Sequence, residues 1–558
     1  MQELKEPTMQ DTDKSISEIE SLYPERDLPS EAIVTRVAPS PTGFAHLGFV
    51  YMSLICQQVA ENTGGAFIFR LEDTDQKREV EGSDKRLREA LEALDIQYDE
   101  GIIGDNKEKG EYGPYKQTER IPIYKAYVDD LIKKGMAYPC FMTENELSSI
   151  REQQIENKAK PGIYGTYSKW RNAPKEQVDE FLSRNIPYVI RFKWPEGEEE
   201  ITHFDLSGTR YSFKSQDVAE DFVLLKSNGI PTYHLAHLVD DHLMKVNLVI
   251  RGNEWVNSLP KHILLHKALG FNAPRYYHVP PIEILDTETG GRRKLSKRKD
   301  PEANIFNLLK DGFPKEAIKA YLLWLSTKKK KKETLKQNKP IIPDFKLNVS
   351  MLKSGAGSLF DANRLRNLSR EVITATSPEN LSSEVLQWSQ KYATPFYEII
   401  SKYPAEYLVE VLKTVNNPTT NRKDLIQYAD IQEKIGFLYD EIYQNQQYDI
   451  TAIQDIGLET VSAILKEFLA TYNTKDSLDE FLQKMKDNAT RHGLALNKKD
   501  LQNGNYQGLW SVVPAIVRIA IAKKNVSPEL HECIKILGYE KLTNRAENLL
   551  AFLKMRNG

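Results

Sequence analysis

The chain has 558 residues, 40% hydrophobic and 28% charged, with a formal net charge of −3, which suits several globular domains and excludes a basic nucleic-acid coat. Three scattered cysteines, Cys56, Cys140 and Cys533, form no CxxC pair, so a disulfide framework and a cysteine-rich zinc site are not expected and a reducing, cytoplasmic setting is. No apolar run approaches the roughly 18 residues a membrane span needs.

Residues 1–31 read as an N-terminal tail, disordered or weakly helical, and too polar for a signal peptide. "IVTRVA", 33–38, alternates like a strand. A helix follows from His46 and stops at "NTGG". "AFIFRL", 66–71, reads as a buried strand, and "LEDTD" places carboxylates at its C-terminal end. Residues 83–94 have helical spacing with Ser83 as N-cap. Strand, helix, strand, helix opens a parallel doubly wound sheet.

Residues 111–218 mix helical patterns, such as "TERIPIYKAYVDDLIKKG", with strand-like runs, "YVIRFKW" and "TRYSF", and read as an α+β insertion. The buried-strand style returns at 222–225 and at 246–250, so the interrupted sheet is expected to resume there. From about residue 300 strands nearly vanish, and helical segments such as 478–486 and 529–553 run to the end. A lysine run, 328–332, marks a loop between helical units.

Three stretches carry chemistry. In "RVAPSPTGFAHLG" a strand ends in a proline-shaped loop before a helix N-terminus, where unpaired N–H groups suit phosphate. His46 can donate to phosphate oxygens there, and Gly48 lets a flat base approach the backbone. "GGRRKLSKRKD", 290–300, is a glycine-led basic loop whose Lys294 and Lys297 can neutralise a polyphosphate. In 228–255, Tyr233, His237 and Arg251 stand beside strand-like runs. Alone, the first stretch reads better as an ordinary turn with a surface histidine, the second as a solvated basic loop or RNA contact, and the third as satisfied sheet-edge side chains.

Together, "RVAPSPTG", "FRLEDTD", "GPYKQTER", "GIPTYHLAHLVDDHLM", "VIRGNEW" and "KLSKRK" resemble, in order, the blocks of the glutamyl-tRNA synthetase family of class I aminoacyl-tRNA synthetases. The resemblance runs from about residue 33 to the end, densely to about 310, and reappears at "VRIAIAKKNVSPELHECIKILG". It implies an α/β fold: a class I Rossmann-type catalytic domain with an α+β insertion, followed by all-helical C-terminal anticodon-binding domains. The implied division is a tail, 1–31; the first half of the catalytic domain, 32–110; an acceptor-binding insertion, 111–218; the second catalytic half, 219–290; the mobile-loop and helical connecting domain, 291–372; and the anticodon-binding domain, 373–558.

The same resemblance implies ATP-dependent activation of L-glutamate and its transfer to tRNA(Glu), with tRNA(Gln) a second acceptor in some members. ATP would lie on His46, Gly48, Gly252, Glu254, Trp255 and Lys297, with His46, Lys294 and Lys297 catalytic and Mg²⁺ on the phosphates. Glutamate would lie among Arg36, Ala38, Ser40, Glu72, Tyr233, His237 and Arg251. Glu72 would pair with the α-ammonium, and Arg36, assisted by Arg251, would take the γ-carboxylate, whose two oxygens match a guanidinium fork. Two residues depart from the family pattern: His237 stands where Asn is common, and Asn253 where an acidic residue is usual. Some members bind zinc through insertion cysteines; Cys140 stands alone, so no zinc is expected. No membrane or DNA partner is implied, and members are usually monomers. The rivals are glutaminyl-tRNA synthetase, disfavoured by "PSPTG" and the helical tail, and a non-catalytic tRNA-binding relative, disfavoured by intact "HLG" and "KLSKR".

Overall fold

"SISEIES" closes on itself: Ser15 and Glu18 form a capping box that starts helix α1 (Ile16–Ser21). The computed structural model describes residues 14–557 apart from 44, 105–106, 198, 287, 297–298, 328–346, 348, 353–354, 356, 418–421 and 505. The lysine run and Lys297 lie outside the described residues. From residue 14 on, the expected tail is instead a pinned arm. Glu20 accepts a hydrogen bond from Tyr127 at 2.7 Å, Tyr23 donates to the Gly113 carbonyl at 3.1 Å, and Arg26 forks onto Glu100 at 2.6 and 3.0 Å. A bidentate ion pair and two anchored side chains offset the entropy of ordering so polar a segment.

Strand β1 (Val34–Val37) is buried at every position, as a strand covered on both faces must be. Helix α2 (Leu47–Glu61) leads to β2 (Ala66–Phe69), which pairs with β1 in parallel, Val34 opposite Ala66. After α3 (Ser83–Glu92), β3 (Glu100–Gly104) extends the sheet in parallel, and β4 (Lys107–Lys109) folds back antiparallel. Ser83 does not cap α3. Gly82, at φ 71°, occupies that position, and the Ser83 hydroxyl instead donates to the Gly43 carbonyl at 2.5 Å, tying down the proline loop.

The insertion comprises α4 (Ile121–Lys133), β5 (Ala137–Cys140), α5 (Glu144–Glu156), α6 (Lys175–Ser183), β6 (Val189–Phe192), a hairpin of β7 (Glu200–Phe204) and β8 (Arg210–Lys214), a single turn α7 (Ser215–Val218), and β9 (Val223–Leu225). β9 corrects an expectation: "FVLL" does not resume the doubly wound sheet but pairs antiparallel with β6, in a sheet ordered β5-β6-β9. A short apolar run identifies a buried strand without naming its sheet. Cys140 packs with Tyr138, Phe141 and Trp170 in the insertion's own core.

The α/β layer returns with α8 (Tyr233–Leu243), β10 (Leu248–Gly252), α9 (Leu259–Leu269) and β11 (Arg275–Val279). β10 and β11 pair in parallel. Asn247 joins them to β1: its N–H donates to the Val34 carbonyl, and its side-chain oxygen accepts the Val34 N–H at 3.0 Å. β12 (Ile282–Leu285) then pairs antiparallel with β13 (Arg292–Lys294) and in parallel with Ser358–Leu359.

The chain divides into two units. One holds Met1–Asn307 and Lys319–Asp361; the other holds Leu308–Ile318 and Ala362–Gly558. Apart from the two-residue strands Asn416–Asn417 and Arg422–Lys423, the described elements of the second unit are helical, around a core that includes Val411, Ile435, Ile464 and Ile516.

Candidate active site

The C-terminal ends of β1, β2 and β10 open onto one cavity of about 490 Å³. That is where an open α/β sheet binds its ligand. Arg36, Ala38, Ser40, Glu72, Tyr233, Arg251, Gly252, Glu254 and Trp255 all line it, though they come from four separate stretches of sequence. Lys226, Thr232, Thr74, Asp75 and Arg78 also line it and were not expected. Lys226 reaches the Thr74 carbonyl at 2.8 Å, and burial lowers its pKa.

His46 is the N-cap of α2, and its Nδ1 accepts the Gly48 N–H at 2.8 Å. Accepting at Nδ1 puts the neutral ring's proton on Nε2, so Nε2 is the donor at this helix N-terminus. Gly48 has a further reason to be glycine. A Cβ there would stand 2.9 Å from His46 Nδ1 and displace the cap. At the end of β10, a Cβ on Gly252 would run into the Glu254 carboxylate. Trp255 lies on Tyr233 with ring centres 4.0 Å apart.

The charged floor of the cavity is a network. Arg36 Nε reaches the two Asp241 oxygens at 2.9 and 3.2 Å. Arg70, wholly buried, reaches Asp241 at 2.7 Å and Glu72 at 3.1 Å, with Asp240 at 3.5 Å. Arg120 and Tyr124 close on Asp240 at 2.6 and 2.9 Å. Although it is buried, Asp241 is held well below the usual carboxylate range by the two guanidiniums. Glu72 shifts the other way, pushed up to about 7 by burial. Arg70 divides its charge among three carboxylates and leaves Glu72 too little to offset desolvation.

Arg251 is the exception to this pairing. It is only 4% exposed, and no described carboxylate lies within ion-pair distance. Its Nε donates to His278 Nε2 at 3.2 Å, its Nη1 lies 3.0 Å from His262 Nδ1, and its Nη2 is buried without a hydrogen-bond partner. His237 is not on the cavity wall. It stacks behind Tyr233 at 4.2 Å and donates from Nδ1 to the Tyr233 carbonyl at 2.5 Å. Burial drives its pKa well below the ordinary value. Lys294 makes an exposed pair with Glu254 at 3.3 Å, joining two predicted nucleotide contacts.

Known proteins are similar to this chain. The model for tRNA synthetases class I (E and Q), catalytic domain, matches residues 32–367, more than half of the chain. The glutamate–tRNA ligase of Clostridium perfringens (strain SM101 / Type A) is 36% identical over 533 residues, spanning 95% of this chain and 96% of that relative. That of Acetivibrio thermocellus is 37% identical over 545 residues, spanning 96% and 97%. A crystal structure of a glutamate tRNA ligase from Elizabethkingia meningosepticum, in complex with its amino acid, aligns with a TM-score of 0.75 at 26% identity, covering 93% of this chain and 99% of that one. The chain therefore belongs to the class I tRNA synthetases of the glutamate and glutamine type.

Proposed function

We propose that this protein is a glutamate–tRNA ligase, which activates L-glutamate with ATP and transfers it to the 3′-terminal ribose of tRNA(Glu). The observation that carries this reading is the cavity: a buried, unneutralised Arg251 and a carboxylate, Glu72, share its wall beside a histidine-capped helix N-terminus. An amino acid with a second carboxylate complements that arrangement, its ammonium on Glu72 and its γ-carboxylate on Arg251. The roles expected for the two arginines are thereby exchanged: Arg36 is already engaged by Asp241, so it shapes the pocket, while Arg251 keeps its charge for the substrate.

In the first step the glutamate α-carboxylate attacks the α-phosphorus of ATP, the bond to the bridging oxygen breaks, and pyrophosphate leaves. His46 Nε2–H, Lys294 and Lys297 act on the phosphate oxygens. Lys294 exchanges Glu254 for phosphate, a low-cost exchange because the pair is exposed. Catalysis is positioning and charge stabilisation, without a protein nucleophile. In the second step the terminal ribose 2′-hydroxyl attacks the glutamyl carbonyl, and AMP leaves. Mg²⁺ bound together with ATP would neutralise phosphate charge. The insertion takes the acceptor end and the helical unit the anticodon. A cytoplasmic setting, with its tRNA and ATP, is consistent with this reaction.

The test is glutamate charging of tRNA(Glu) and tRNA(Gln) transcripts in parallel. Charging of tRNA(Glu) is expected, and the second transcript separates an enzyme confined to tRNA(Glu) from one that loads both. A folded protein that charges neither overturns the reading.

A further inference from the structure

Arg251 is held by imidazoles, and the direction of every bond follows from its chemistry. A guanidinium only donates. His278 must therefore present a lone pair at Nε2, which puts its proton on Nδ1, where Asp205 accepts it at 2.8 Å. His262 must present a lone pair at Nδ1, which puts its proton on Nε2, directed at His234 Nδ1 at 3.0 Å. Asp205 is fixed in turn by the backbone N–H groups of Ser207, at 2.7 Å, and His278, at 2.8 Å. The result is one ordered chain, Asp205–His278–Arg251–His262–His234. Asp205, His278 and His262 are all buried, and none of the three lines the cavity.

This support differs in kind from that of Arg36 and Arg70, which are held by carboxylates. Two neutral acceptors orient Arg251 and leave its charge uncompensated, with Nη2 unpartnered. We propose that His278 and His262, with Asp205 fixing the tautomer of His278, are positioning residues that aim Arg251 without neutralising it, and thereby set the pocket's preference for a side-chain carboxylate over the matching amide. The inference rests on the reading of the cavity as a glutamate site. A carboxylate in place of either histidine would hold Arg251 as firmly and cancel the charge that distinguishes glutamate from glutamine. Asp205 lies immediately after β7 in the insertion, so that hairpin supplies the anion at the far end of the chain.

The experiment measures the KM for glutamate, the KM for ATP, and inhibition by glutamine, all in tRNA(Glu) charging. Wild type is compared with Asp205→Asn, His278→Leu and His278→Gln. Asp205→Asn can donate to His278 Nδ1, which would turn an N–H toward Arg251. His278→Leu removes the acceptor. His278→Gln retains both an acceptor and a donor, and serves as the conservative rescue. Asp205→Asn and His278→Leu are expected to raise the glutamate KM about tenfold or more, with the ATP KM within about twofold. Glutamine should then compete more nearly equally with glutamate, while His278→Gln stays close to wild type. If His278→Leu does not fold, Asp205→Asn, which changes no volume, decides the matter. An unchanged glutamate KM in Asp205→Asn, a parallel rise in both KM values, or His278→Gln as impaired as His278→Leu would overturn the inference. An inactive wild type would overturn the glutamate reading itself, so the two failures are distinct.

Discussion

Glu72 carries a pH dependence whose sign can be worked out. Its carboxyl titrates near 7 in the fold, against an ordinary value of 4.5. Above 7 it is ionised and can hold the substrate ammonium; as pH falls through 7 it takes a proton and loses that hold. The glutamate KM should therefore rise about tenfold between pH 8 and pH 6. Glu72→Gln should show a high KM that is flat across this range. A wild-type KM that does not move with pH would remove Glu72 from the ammonium site. The same group affects folding in the opposite direction. Between 4.5 and 7 the folded chain binds a proton that the unfolded chain releases, so the group's contribution to stability grows as pH falls through that window and is a penalty above it. At this scale the sequence was informative about which residue types stood where. Arg36, Glu72, Tyr233, Arg251 and Trp255 all line one cavity. Their pairing was not legible, because what separates Arg36 from Arg251 is Asp241, which stands 205 residues from Arg36 and ten from Arg251 yet pairs with the distant one. His278, in β11, and Asp205, in the turn after β7, are 73 residues apart, so no spacing rule links them.

Helix α2 shows how one element couples stability to chemistry. Alanine is a better helix former than glycine by about 1 kcal/mol. A Cβ at position 48, however, would stand 2.9 Å from the His46 atom that caps the helix, and losing such a cap costs about 1 kcal/mol. Gly48→Ala should therefore melt within a few degrees of wild type while kcat falls about tenfold or more, because the displaced ring carries Nε2 away from the phosphates. Measuring the melting temperature and kcat together checks this; an unaltered kcat would mean that His46 acts only as a cap. Periodicity found α2, β1 and β2 nearly to the residue. It failed at Ser83, which has the composition of an N-cap but gives its hydroxyl to Gly43 on the loop across from it. It failed again at β9, where a buried run gave no indication that its neighbour would be β6.

At the scale of the whole molecule, the segment Leu308–Ile318 belongs with the helices that follow residue 361, not with its neighbours in sequence. The Trp388 indole donates to the Leu309 carbonyl at 3.0 Å, and the Tyr428 N–H donates to the Gly312 carbonyl at 2.8 Å. Gly312 sits at φ 88°, and a Cβ there would approach Tyr428 N to 2.7 Å. Gly312→Ala should cost about 1–3 kcal/mol through backbone strain alone. Calorimetry of the full chain should resolve that loss as one lowered transition, that of the helical unit, with the other unmoved. Two transitions falling together would refute the division.

The chain passes between its two units three times, at 307–308, 318–319 and 361–362. The helical unit is therefore not a cassette that a single cut can transfer. A hybrid joined only at residue 362 would set the helices of one parent against the Leu308–Ile318 segment of the other, and would bring a foreign residue to the place where Gly312 meets Tyr428. Any exchange of the helical unit between relatives, in the laboratory or in descent, has to carry those eleven residues with it or rebuild that contact.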